Sequence, residues 1–81
     1  MVINDERRKR MNSLRLEFER KKRGLSREDM AQLIKVSINS YGKKERGCVK
    51  FSDAEKIVIA NKLQLTLVEV NDIFFDGKFL A

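Results

Sequence analysis

The sequence contains no proline, no tryptophan and no histidine, and only four glycines and one cysteine. So few turn residues in 81 positions argue against a sandwich or barrel of short strands and point to helices. The single Cys48 excludes an internal disulfide, and without histidine a structural zinc site is not expected. Long apolar runs are also missing. The longest is Ile57-Val58-Ile59-Ala60, against the roughly 20 residues that span a bilayer. The basic run Arg7-Arg8-Lys9-Arg10 is followed by no apolar stretch of the kind a secretory signal requires. The expectation is a soluble, cytoplasmic protein with no membrane partner. With no histidine, no recognisable pair of catalytic carboxylates and no glycine-rich phosphate loop, enzymatic activity is not expected. Nor is a cofactor, a metal or a small-molecule ligand.

What is present fits one small folded domain: 42% of the residues are hydrophobic and 37% are charged. Eighteen lysines and arginines oppose twelve acids, a formal charge of +6. The excess sits toward the front: residues 1–27 carry +6, residues 28–50 carry +2 and residues 51–81 carry −2. Such asymmetry suits a chain that turns one face to a polyanion.

Helical signals recur along the sequence. Met11, Leu14 and Phe18 are spaced as one face of a helix over 11–23, with Leu16 off that stripe. Gly24 then supplies the stop. Ser26-x-x-Asp29 is an N-terminal cap for a helix carrying Met30, Ala31, Leu33 and Ile34. Ser37 caps a third helix that runs to Arg46, with Gly47 as its stop. Ser52-x-x-Glu55 and Thr66-x-x-Glu69 are two further capping boxes. The reading is all-α, five helices, with Met30, Ala31, Ile34, Val36, Tyr41, Ile57, Ala60 and Leu63 in the core. Three segments are expected: a basic extension over 1–11, the domain proper over 12–74 and an apolar tail over 75–81.

The second and third helices are separated only by Lys35-Val36-Ser37, which forces a large crossing angle. The order Arg20-x-x-x-Gly24-Leu25-Ser26-Arg27-Glu28-Asp29-Met30-Ala31, Ile34-x-Val36-Ser37, Ser40-Tyr41-x-x-x-Glu45-Arg46-Gly47 resembles the phage repressor and Cro-type helix-turn-helix domains of the Xre family. Ile59-Ala60-x-x-Leu63-x-Leu65-Thr66-x-x-Glu69 is similar to the fourth and fifth helices of that fold. The resemblance covers about residues 14–74. It implies a lambda-repressor-like domain whose third helix enters the major groove of double-stranded DNA. Ile38, Asn39, Ser40, Gly42 and Lys43 are then the base-reading candidates. Asn39 suits adenine, Lys43 guanine or phosphate, and Ile38 a thymine methyl. Gly42, lacking a side chain, lets the backbone come close to the duplex.

Arg20, Arg27, Ser37, Arg46 and Lys50 are the phosphate-binding candidates. By the same resemblance, Arg20 pairs with Glu45 and ties the first helix to the third. A twofold dimer on a palindrome is expected, and Val70, Ile73, Phe74, Phe75, Phe79 and Leu80 are its candidate surface. Two positions depart from the family pattern. Lys35 stands where glycine is common in the turn, at a cost of ~1–2 kcal/mol if the backbone there is left-handed. Glu19 stands where an apolar residue is common. The leading expectation is a sequence-specific transcriptional regulator of phage or mobile-element repressor type. The alternatives are an antitoxin-like or adaptor module that binds a protein through the apolar tail, and a non-specific nucleic-acid binder using the basic front.

Overall fold

A computed structural model describes residues 11–75, and over them the chain is helical with no strand. Helix α1 spans Ser13–Lys22, α2 Arg27–Ile34, α3 Ile38–Glu45, α4 Asp53–Leu63 and α5 Leu67–Phe74. The N-terminal extension (Met11 apart), Phe79 and Leu80 lie outside the described residues. Helix α3 packs against α2 and α1, α4 against α2, and α5 against α1.

Each helix starts where a side chain can satisfy its first free N–H groups. Ser26, Ser52 and Thr66 each accept from the backbone N–H three residues on, and Asp29, Glu55 and Glu69 accept the return bond from the cap's own N–H. Ser37 accepts from the Ser40 N–H at 3.0 Å and opens α3. The first helix is capped by Asn12, whose side chain accepts from the Arg15 N–H. The Asn12 N–H in turn donates to the Ile73 carbonyl at 2.7 Å, which ties the start of α1 to the end of α5.

Three helices end the same way. Leu25, Val36 and Leu65 donate their N–H to the carbonyls of Arg20, Ala31 and Ala60, five residues back, and all three side chains pack on the core. The residue before each is left-handed: Gly24, Lys35 and Gln64, with φ of 72°, 62° and 54°. Only the first is glycine. The α2–α3 turn therefore keeps its tight form despite Lys35. Replacing Lys35 by glycine is expected to stabilise the chain by about 1 kcal/mol, read as a higher urea midpoint at unchanged slope.

The core comprises Leu16, Met30, Ala31, Ile34, Tyr41, Phe51, Ile59, Leu63, Ile73 and Phe74. The Phe51 ring bridges Tyr41 at 6.0 Å and, edge-on, Phe74 at 5.7 Å. Two expected stripes are corrected. In α1 the buried side is Leu16, Glu19 and Arg20, whereas Leu14 is 78% and Phe18 58% exposed. In α4 Ile59 is buried, and Ile57 is 62% exposed. The residues expected at a dimer surface divide. Ile73 and Phe74 close the core, and Val70 and Phe75 are half-buried against it.

Glu19 is accommodated by charge. Its buried carboxylate meets Arg15 at 2.8 Å, together with Arg23 and the Lys22 ammonium, and Arg15 continues to Glu69 of α5. Hydrogen bonds from Arg23 and Arg15 hold that carboxyl below its ordinary range, so it stays ionised.

Candidate nucleic-acid interface

Helix α3 is oriented by its inner side. Tyr41 and Glu45, four residues apart, are both buried. One Glu45 oxygen accepts from Arg20 Nε at 2.7 Å and from the Tyr41 hydroxyl at 2.9 Å. The other accepts from Arg20 Nη2 at 3.3 Å. Arg20 Nη1 donates to the Leu25 carbonyl at 2.8 Å. Burial works against the Arg20 charge, but the hydrogen bond and charge of Glu45 outweigh it and hold the guanidinium above its usual value. Burial, then the neighbouring Glu45 charge, pushes the Tyr41 hydroxyl far above its normal range, so it remains a donor.

The expected Arg20–Glu45 pair is thus formed. Arg20 is 4% exposed, and Nε, Nη1 and Nη2 each donate inside the chain, so little of the guanidinium faces solvent. Arg20 thus has a structural place, joining α1 to α3 through Glu45. Arg27, at the first position of α2, is half-exposed and stands 3.6 Å from Glu45 at the rim of the same network.

The outer side of α3 carries Ile38, Asn39, Ser40 and Lys43, followed by Arg46 and, in the next loop, Lys50. Ile38, Asn39, Lys43, Arg46 and Lys50 are exposed and Ser40 is half-buried. Asn39 and Lys43, one turn apart, share the centre of this face. Ser37 uses its hydroxyl on the Ser40 backbone and hydroxyl groups, which leaves it at the exposed mouth of the helix start. Gly42 differs from expectation. It is buried, and the Arg46 guanidinium stands against the side where its Cβ would be, so a neighbouring side chain covers its bare backbone there.

The electrostatics of this face follow from pairing. Of the thirteen lysines and arginines among residues 11–75, Arg15, Arg20, Lys21, Lys22, Arg23, Arg27, Lys44 and Lys56 stand within ion-pair distance of an acid. Lys35, Lys43, Arg46, Lys50 and Lys62 have no acid within ion-pair distance among the described residues. Four of these five lie on α3 and the two segments that flank it. The acid of α3, Glu45, is turned inward. Lys44, also on α3, is fastened to Glu55 at 3.0 Å and to the Lys50 carbonyl at 3.1 Å. The resemblance marks Lys35 only as a turn position where glycine is common; its exposure and lack of an acid within ion-pair distance add it to the basic rim.

Among the described residues there is no cluster of acids, cysteine or histidine able to hold a metal, and no helix long and apolar enough to cross a membrane. Comparison with family models, with curated proteins and with solved structures finds no match for this chain.

Proposed function

We propose that the chain is a sequence-specific double-stranded DNA-binding protein of the Xre helix-turn-helix type, acting as a transcriptional regulator of phage or mobile-element repressor kind. The observation that carries this reading is the concentration of cations without acidic partners among the described residues, Lys35, Lys43, Arg46 and Lys50, around an α3 whose one acid is buried. A solubilising surface would spread such cations among acids, as the rest of the described chain does. Phosphate groups provide the missing counter-charges, and between them Ile38, Asn39 and Lys43 meet base edges in the major groove. Arg27, at the α2 start, and Ser37, at the α3 start, meet the backbone on the near side.

One such domain reads few base pairs, so a homodimer on a palindromic operator, with half-sites ~34 Å apart, belongs to the proposal. Leu67 and Val68 at the start of α5 are exposed and join Val70 and Phe75 as its candidate surface. The protein-adaptor alternative leans on the apolar C-terminal residues, and it is weakened by the burial of Ile73 and Phe74 in the core.

The test is selection from randomised duplex DNA at near-physiological salt, with Asn39→Ala and Arg27→Ala in parallel. A short palindrome should be enriched. Asn39→Ala should blur one position of each half-site, a loss of about 1–3 kcal/mol in discrimination, and Arg27→Ala should weaken all sequences alike. Salt-sensitive binding without an enriched motif would sink the specific reading.

A further inference from the structure

The middle of α3 contains a glycine that the fold does not require. Gly42 has an ordinary helical backbone, and glycine at such a position costs about 1 kcal/mol against alanine. What the missing side chain provides is a seat. A Cβ built on Gly42 would stand 3.2 Å from Arg46 Nη1, 3.9 Å from Cζ and 4.0 Å from Nη2. All three are guanidinium atoms, so the group, Nη1 foremost, occupies the space that a Cβ one turn before it would crowd. Among the described residues no acid holds Arg46 there. Arg46 is nevertheless exposed, so its seated guanidinium keeps donors turned to solvent.

We infer that Gly42 is a positioning residue for DNA binding: its bare Cα seats the Arg46 guanidinium beside Asn39 and Lys43, where it grips a phosphate of the duplex. The inference rests on the DNA reading above. An arginine free in solution samples many rotamers, and fixing it on contact with DNA lowers affinity; one already seated loses less. The flat guanidinium suits such a seat, and the compact ammonium of lysine does not. Gly42 thereby acts through Arg46 and not through backbone contact with a base.

The experiment is a double-mutant cycle of Gly42→Ala and Arg46→Ala, read by duplex affinity against salt concentration and by urea unfolding of the free protein. The added methyl meets the far end of a flexible side chain, so Gly42→Ala should fold and unfold at a higher urea midpoint. Its affinity should nonetheless fall roughly tenfold. The slope of log affinity on log salt should drop by about one contact, as it does for Arg46→Ala. The double variant should bind no more weakly than Arg46→Ala alone. A more stable protein that binds less well is not the signature of a merely structural glycine. If Gly42→Ala binds like the wild type, or if its loss simply adds to that of Arg46→Ala, the seat is refuted while the DNA reading stands. If the wild type itself prefers no duplex and binds without salt dependence, the DNA reading falls and this inference with it.

Discussion

Glu45→Ala should be the most damaging single substitution in the chain, lowering stability by about 3–5 kcal/mol. Small domains have total stabilities of order 5–15 kcal/mol, so a large fraction of the variant should be unfolded at moderate temperature. The reason is what the carboxylate leaves behind. Arg20 is 4% exposed and would keep one bond, from Nη1 to the Leu25 carbonyl, with its charge unanswered. Tyr41, fully buried, would lose the acceptor of its hydroxyl. A buried charge without its partner is far costlier than the pair is favourable, so removing all three polar groups should recover most of the loss. Thermal and urea unfolding of Glu45→Ala and of the triple variant Arg20→Met, Tyr41→Phe, Glu45→Met would measure both. An unfolding midpoint for Glu45→Ala equal to that of the wild type would show that the network does not hold α1 to α3.

The same network marks how far short sequence motifs reach. A likeness between such motifs is enough to pair residues 20 and 45, and the 2.7 Å contact agrees with it. The burial of Arg20 has no such source. How far an arginine is enclosed depends on all that surrounds it, and the Leu25 carbonyl that takes Nη1 is presented by a backbone turn, not by a side-chain pattern.

Helix boundaries are legible in the sequence because caps are local. Serine or threonine followed three residues on by an acid satisfies N–H groups within a single turn, and tertiary context has little to add. Buried faces are less so. In α1 the inward side mixes one leucine with Glu19 and Arg20, so counting apolar residues selects Met11, Leu14 and Phe18, two of which face solvent. In α4 the apolar residues 57–60 follow one another around a full turn, and periodicity has no contrast to work with there; Ile59 lies inside and Ile57 outside. Phe51 stands in a loop and carries no helical signal, although an apolar side chain immediately before a Ser-x-x-Glu cap is the recognised position for one that folds back on the core. Lys35 and Gln64 are not identifiable as left-handed from residue type, since the hydrogen bonds of the two turns impose the conformation.

The candidate site is legible in part for the same reason. Positions 38, 39, 40 and 43 follow from the helix start at Ser37 and its period. The partnership of charges is a property of the folded surface, and it is what singles out Lys35, Lys43, Arg46 and Lys50 from the other cations. Neutralising these four to glutamine should therefore be the largest perturbation of DNA affinity. With a salt slope of about −0.9 for each phosphate contact, losing those of Lys35, Arg46 and Lys50 should flatten the slope by about 2 to 3. At ~0.15 M salt that corresponds to binding weaker by roughly a hundredfold, and the lost base contact of Lys43 adds about tenfold. Stability should change little, because the four side chains are exposed and leave no acid unpartnered among the described residues.

The control has the same charge and a different geometry. Replacing Lys21, Lys22, Lys56 and Lys62 by glutamine also takes the chain from +6 to +2. If α3 and its flanks form the interface, the control should bind within about tenfold of the wild type at the same salt. Net charge alone draws both variants to DNA equally, so only a localised interface separates them. Equal losses in the two variants would mean that the chain meets DNA through its overall charge, and α3 would lose its claim to the groove.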